Sequence, residues 1–93
     1  MALTGKQKRE LRALGNRLKP EVWIGKEAVS EGSIQTLQNS FHTKELVKVK
    51  ILENCEVDKK EVAQQLGERA EAEIVQIIGK TILLYRPLPE DTL

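Results

Sequence analysis

The chain has 93 residues, of which 40% are hydrophobic and 31% charged, a composition typical of a soluble globular domain and not of a disordered chain. No apolar run approaches the roughly 18–20 residues that cross a membrane, and the N-terminal residues lack the apolar core of a signal peptide, so we expect a cytoplasmic protein. The single cysteine, Cys55, excludes an internal disulfide and a multi-cysteine metal site.

The formal net charge of +1 conceals an uneven distribution along the chain. Residues 1–20 contain six lysines and arginines and one acid, whereas residues 21–93 contain nine bases and thirteen acids. Such an asymmetry indicates a polyanionic partner, although a solvated basic helix would produce the same charge pattern.

The first predicted element is a helix over residues 4–18, ended by Pro20. At about 100° per residue, its leucines fall on one side of the helix. Its cations gather on the opposite side, at Lys8, Arg9, Arg12 and Lys19.

A short strand over residues 21–24 leads through a Gly-Lys turn to a second helix, for which Ser30 is the expected N-cap. This helix extends to about His42. Residues 45–52 alternate, which predicts a strand with one buried face and one wet face that carries Lys48 and Lys50.

Asp58 opens a third predicted helix, and two apolar strands follow, EIVQII and TILLYR, joined by a hairpin at Gly79-Lys80. The order is therefore α-β-α-β-α-β-β. It predicts the α/β class: a single compact domain with a mixed sheet of about four strands and helices packed on it. The tail over residues 88–93 has no periodicity, and we expect it to be loose.

Catalytic chemistry has little support in the residues. His42 is expected to be a surface or capping residue, and Cys55 an incidental thiol and not a nucleophile. The sequence has no P-loop and no dinucleotide-binding fingerprint. We therefore expect a binding protein without catalytic residues, metal or cofactor.

The turn at Gly25-Lys26 is a candidate anion site. The N-terminus of a helix carries unpaired N–H groups and partial positive charge, so a phosphate can bind there, with Lys26 adding a full charge. A glycine that serves only a tight turn would give the same pattern. Further cations are available from the basic helix, from Lys48 and Lys50, and from the hairpin residue Lys80.

Four segments, GKQKRELRALGNRLKP, IGKEAVSEG, ELVKVKIL and VQIIGKTILLYRP, resemble the YhbY-type bacterial proteins that consist of one CRM domain (chloroplast RNA splicing and ribosome maturation). The resemblance implies a CRM domain over residues 1–87. It also implies RNA binding and a fold similar to the C-terminal domain of translation initiation factor 3. Bacterial members are associated with the precursor of the large ribosomal subunit.

The family loop G-x-x-G maps onto residues 25–28, where this chain departs from the pattern with Glu27 and Ala28. Alanine would be strained if the family geometry requires a positive φ there, and Glu27 would repel a phosphate unless it points away. We expect the aromatic residues Trp23, Phe41 and Tyr85 to pack in the core, which leaves recognition to phosphates and RNA shape.

The resulting expectation is a monomer that binds ribosomal RNA on large-subunit precursors, without a small-molecule substrate or a membrane. Its expected RNA-binding residues are Lys8, Arg9, Arg12, Lys19, Gly25, Lys26, Lys48, Lys50 and Lys80. Two alternatives remain: a module that docks on a ribosomal protein or assembly factor, and a small enzyme acting on a phosphorylated metabolite.

Overall fold

A computed structural model describes residues 3–88, which form helices and strands in the predicted order. The helices are α1 (Gly5–Gly15), α2 (Glu31–Phe41) and α3 (Lys59–Ala70). The strands are β1 (Val22–Ile24), β2 (Leu46–Ile51), β3 (Glu73–Ile78) and β4 (Thr81–Tyr85). Apart from Leu88, the tail expected to be loose lies outside the described residues, as do residues 1–2 of the expected domain.

Each helix begins at a side chain that caps it. The Thr4 side chain accepts the N–H of Gln7, and the Gln7 side chain accepts the N–H of Thr4, which is a capping box. The predicted N-cap of α2, Ser30, is confirmed by a bond from the Ser33 N–H to its Oγ at 3.2 Å. Asp58 caps α3 by accepting the N–H of Lys60 at 3.1 Å.

The four strands form one mixed sheet in the order β1-β2-β4-β3. β1 is parallel to β2, and the other two pairings are antiparallel. One face of the sheet packs on α2 and α3, and it forms the main core. The strand residues buried in that core are Val22, Ile24, Val47, Val49, Ile51, Ile82 and Leu84.

Helix α1 covers part of the opposite face. Its only fully buried residue is Gly15, and a Cβ added there would lie 2.5 Å from Leu83 Cδ2, so the glycine permits close packing of α1 on β4. The leucine side of α1 is less buried than its pattern predicts, because Leu14 is 57% exposed. The helix also ends earlier than predicted, at Gly15, and not at residue 18.

The expectation for Trp23 is wrong. Val22 and Ile24 point into the core, so the side chain between them must point to the other face, where Trp23 is 55% exposed. Phe41 is fully buried as expected, and Tyr85 is half-buried beside Leu11 and Leu14 of α1.

Candidate nucleic-acid interface

Helix α1, which carries Lys8, Arg9 and Arg12, packs on the same face of the sheet as Lys48 and Lys50. Lys48 is the β2 partner of Leu83, the residue against which Gly15 of α1 packs. Alternation along the strand then places Lys50 on the same side. The structure therefore brings two separate basic segments of the sequence to one face, which we call the α1 face.

Three turns meet at one end of the sheet, where the strands finish: residues 25–28 after β1, 52–55 after β2, and the hairpin 79–80. We call this end of the strands the turn edge. The N–H of Leu52 donates to the carbonyl of Ile24 at 2.8 Å, and the N–H of Ile51 donates to that of Lys80 at 2.7 Å. Lys26 and Lys80 consequently belong to one edge, next to Lys50 of the α1 face.

Most of the predicted cations have no acidic partner. Within residues 3–88, seven of them make no ion pair: Lys8, Arg9, Arg12, Lys19, Lys26, Lys48 and Lys50. Lys80 lies 3.6 Å from Glu53, which is 95% exposed, so this pair is screened by water and holds Lys80 weakly. Unpaired cations remain available to an external anion.

Other basic residues are used within the fold. Lys44 pairs with Glu21 and Arg69 pairs with Glu31. The Arg86 guanidinium donates to the carbonyl of Ala70 at 2.9 Å and lies 5.1 Å from the centre of the Phe41 ring. The Arg86 contacts hold that side chain within the fold. Glu31 is 90% exposed, so the Arg69–Glu31 pair, like the Lys80–Glu53 pair, is screened by water and contributes little to stability.

The loop over residues 25–28 is a tight turn closed by the Ala28 N–H, which donates to the Gly25 carbonyl at 2.9 Å. A Cβ on Gly25 would lie 3.3 Å from Asn54 Oδ1, so the glycine allows the neighbouring turn to approach. Ala28 adopts the positive φ, 55°, that the G-x-x-G resemblance raised as a condition for strain. Lys26 and Glu27 are both exposed.

The start of α2 is partly occupied by its own side chains. Ser30 Oγ takes the N–H of Ser33, and Glu31 in the first turn adds a negative charge that pairs with Arg69. An anion at this terminus would therefore depend on Lys26 more than on the helix dipole.

Several exposed residues on these surfaces were not predicted as site residues. Lys6 and Arg17 belong to the same basic segment and are also without an ion pair in the described chain. Trp23 and Ile78 lie on the α1 face. Pairing register decides the position of Trp23, and its strand, with three apolar residues, gives no sequence signal for that register.

Other kinds of site find no support among residues 3–88. No group of three or more histidine, cysteine, aspartate or glutamate side chains is arranged to hold a metal ion there. No helix in this range is long and apolar enough to span a bilayer.

These features define a small α/β domain with unpaired cations on one sheet face and along the adjoining edge. The chain belongs to the CRS1 / YhbY (CRM) domain family, whose sequence profile matches residues 3–86.

Individual relatives agree with this assignment. The chain is 42% identical to the probable RNA-binding protein YqeI of Bacillus subtilis over 96% of this chain and 93% of that protein. It is 41% identical to a probable RNA-binding protein of Methanocaldococcus jannaschii, over 91% of this chain and 64% of the archaeal one. A solution structure of a hypothetical Staphylococcus aureus protein, considered RNA-binding, superposes with a TM-score of 0.82 at 42% identity, covering 98% and 95% of the two chains.

Proposed function

We propose that this protein is a non-catalytic RNA-binding domain whose ligand is ribosomal RNA on precursors of the large subunit. The observation that carries the proposal is the set of unpaired cations on the α1 face and the turn edge. The names of the relatives support RNA as the class of ligand.

In this proposal the cations bind phosphates, and each part of the surface has its own role. Lys8, Arg9 and Arg12 on α1, with Lys19 after it, form an extended electrostatic contact. Lys26 binds a phosphate at the loop, where Gly25 keeps the backbone close to the turn edge. Lys48, Lys50 and Lys80 continue the contact across the sheet. Binding that depends on phosphates releases counterions, so the affinity falls steeply with salt.

The proposal is tested by crosslinking the protein to RNA in the cells that produce it and sequencing the attached RNA. We expect enrichment of large-subunit ribosomal RNA, including precursor sequences that mature ribosomes lack. Crosslinks spread over messenger RNA in proportion to abundance would contradict the ribosomal assignment. An absence of RNA crosslinks would contradict the function itself.

Docking on a protein is the second candidate, and one observation favours it. Leu14 is 57% exposed and lines a groove with Leu3, Leu11 and Tyr85, beside the polar residues Gln7 and Glu10. A protein complex made through this groove would survive ribonuclease treatment, whereas complexes held together by RNA bound to the cations would dissociate. Ribonuclease digestion before purification from cells separates the two candidates.

A further inference from the structure

One row of side chains crosses the uncovered part of the α1 face. Trp23, Lys50, Thr81 and Ile78 are successive Cα partners across all four strands. The row spans about 14 Å, because neighbouring strands lie roughly 4.8 Å apart. Trp23 is 55% exposed at one end and Ile78 is 61% exposed at the other.

A polar depression lies beside this row, where α1 ends over the sheet. Its polar lining consists of Asn16, Lys48, Gln76 and Thr81. Within the described chain none of these four side chains makes a hydrogen bond or ion pair. Two free amides, a hydroxyl and an ammonium group are the donors and acceptors that match the edge of a nucleobase.

We infer that this face binds an unpaired segment of single-stranded RNA, with one base stacked on the Trp23 indole and Lys50 on the adjoining phosphate. The depression receives the edge of a neighbouring base. This inference rests on the proposed function and adds a base-contacting site to a surface otherwise described by its cations.

The position of the lysine favours RNA over a protein as the occupant. Lys50 lies in the middle of the row, directly beside Trp23, and has no acidic partner in residues 3–88. Lysine is depleted from the cores of protein–protein interfaces, where its charge would lose water. Aromatic side chains next to unpaired cations are the combination by which proteins bind single-stranded nucleic acid.

The test uses the fluorescence of Trp23, which is the only tryptophan in the chain. The probe is a labelled single-stranded oligoribonucleotide of about eight nucleotides, a length within the usual site size for such proteins. Its affinity is measured by anisotropy and the indole emission is recorded in parallel. We expect saturable quenching by the oligonucleotide and none by inorganic polyphosphate, which offers charge without bases.

Variants give a second readout. We expect Trp23→Ala to weaken oligonucleotide binding about tenfold, which lies within the range that stacking of one base contributes, and Trp23→Phe to retain most of the affinity. Leu88→Ala, at an apolar residue after the last strand that is also exposed (38%), is the control and should bind as the wild type does.

The failures of the two proposals are distinguishable. Binding with unchanged indole emission and equal affinity for Trp23→Ala would overturn this inference and leave the proposed function intact. Loss of a ribonuclease-resistant protein complex in Trp23→Ala, with RNA affinity unchanged, would assign the face to a protein and also overturn it. If neither the oligonucleotide nor a ribosomal RNA fragment binds, both proposals are wrong.

Discussion

Ala28 is held in the left-handed region of the backbone, with φ of 55°, by the turn that its N–H closes onto Gly25. This conformation costs an L-residue about 1–2 kcal/mol, because its Cβ crowds the following carbonyl oxygen. Glycine adopts the same conformation without that cost. The loop is therefore less stable than it would be with glycine at position 28, where the G-x-x-G pattern has its second glycine.

We therefore expect Ala28→Gly to raise the free energy of unfolding by about 1 kcal/mol, a shift in Tm of about 4–8 °C for a domain of this size. Urea and thermal unfolding measure both quantities. The control is the opposite substitution, Gly79→Ala, in the β3–β4 hairpin. Gly79 has φ of 56° and no atom within 4 Å of an added Cβ, so only the backbone cost operates there.

Gly79→Ala should lower the free energy of unfolding by about 1 kcal/mol. Equal stability of wild type and Ala28→Gly, with the expected loss in Gly79→Ala, would show that the loop relaxes away from the left-handed conformation.

At the scale of elements, the contact between α1 and the sheet places the basic helix. Gly15 lies against Leu83, and an added Cβ would lie 2.5 Å from one methyl group of that leucine and 2.9 Å from the other. Leu83 is 2% exposed, so its side chain has little room to move. A larger residue at position 15 must displace the Leu83 side chain or push α1 away from β4.

Gly15→Ala should therefore lower the free energy of unfolding by about 1 kcal/mol, because an overpacking cost of about 2 kcal/mol is offset by about 1 kcal/mol from the better helix propensity of alanine. Gly5→Ala is the matched control at the start of the same helix, where nothing lies within 4 Å of the added atom, and it should be neutral or slightly stabilising. Urea unfolding provides the comparison.

A second substitution tests whether contact with Leu83 causes the loss of stability in Gly15→Ala. In the Gly15→Ala background, Leu83→Ala should cost less than it does in the wild type, because the new methyl group fills part of the vacated space. Strictly additive losses for the two changes would contradict a direct clash between these residues.

The elements and the two sides of β2 were predictable because their signals are local, whereas the exposure of Trp23 and the packing of α1 were not. Ser30 and Asp58 identify helix starts, and alternation in β2 gives its buried side. The exposure of Trp23 depends on which strand β1 pairs with and in what register, and the packing of α1 through Gly15 depends on a partner 68 positions away, Leu83. These relations arise only when distant segments meet.

At the scale of the molecule, folding brings basic segments from separate parts of the chain to one face of the sheet and to the turn edge. The first twenty residues carry much of the positive charge, and Lys48, Lys50, Lys26 and Lys80 extend it from β2 and the turn edge. Acidic residues are present as well, since Glu27 and Glu53 lie in the same turns. In the proposed function, this surface binds phosphate because of where its cations lie and not because of the overall net charge, which is only +1.

The most direct test compares the salt dependence of RNA affinity in two double variants. One is Arg9→Gln/Arg12→Gln and the other, the control, is Lys59→Gln/Lys60→Gln. The control pair removes the same charge from exposed residues of α3, which packs on the other face of the sheet.

We expect the Arg9/Arg12 variant to bind a ribosomal RNA fragment more weakly at low salt. The slope of log affinity against log salt should fall by about 1.5 in magnitude, because two phosphate contacts are lost. The Lys59/Lys60 variant should keep the wild-type slope, and thermal unfolding should be nearly unchanged in both. Identical affinities and slopes for the two variants would contradict a binding surface on the α1 face.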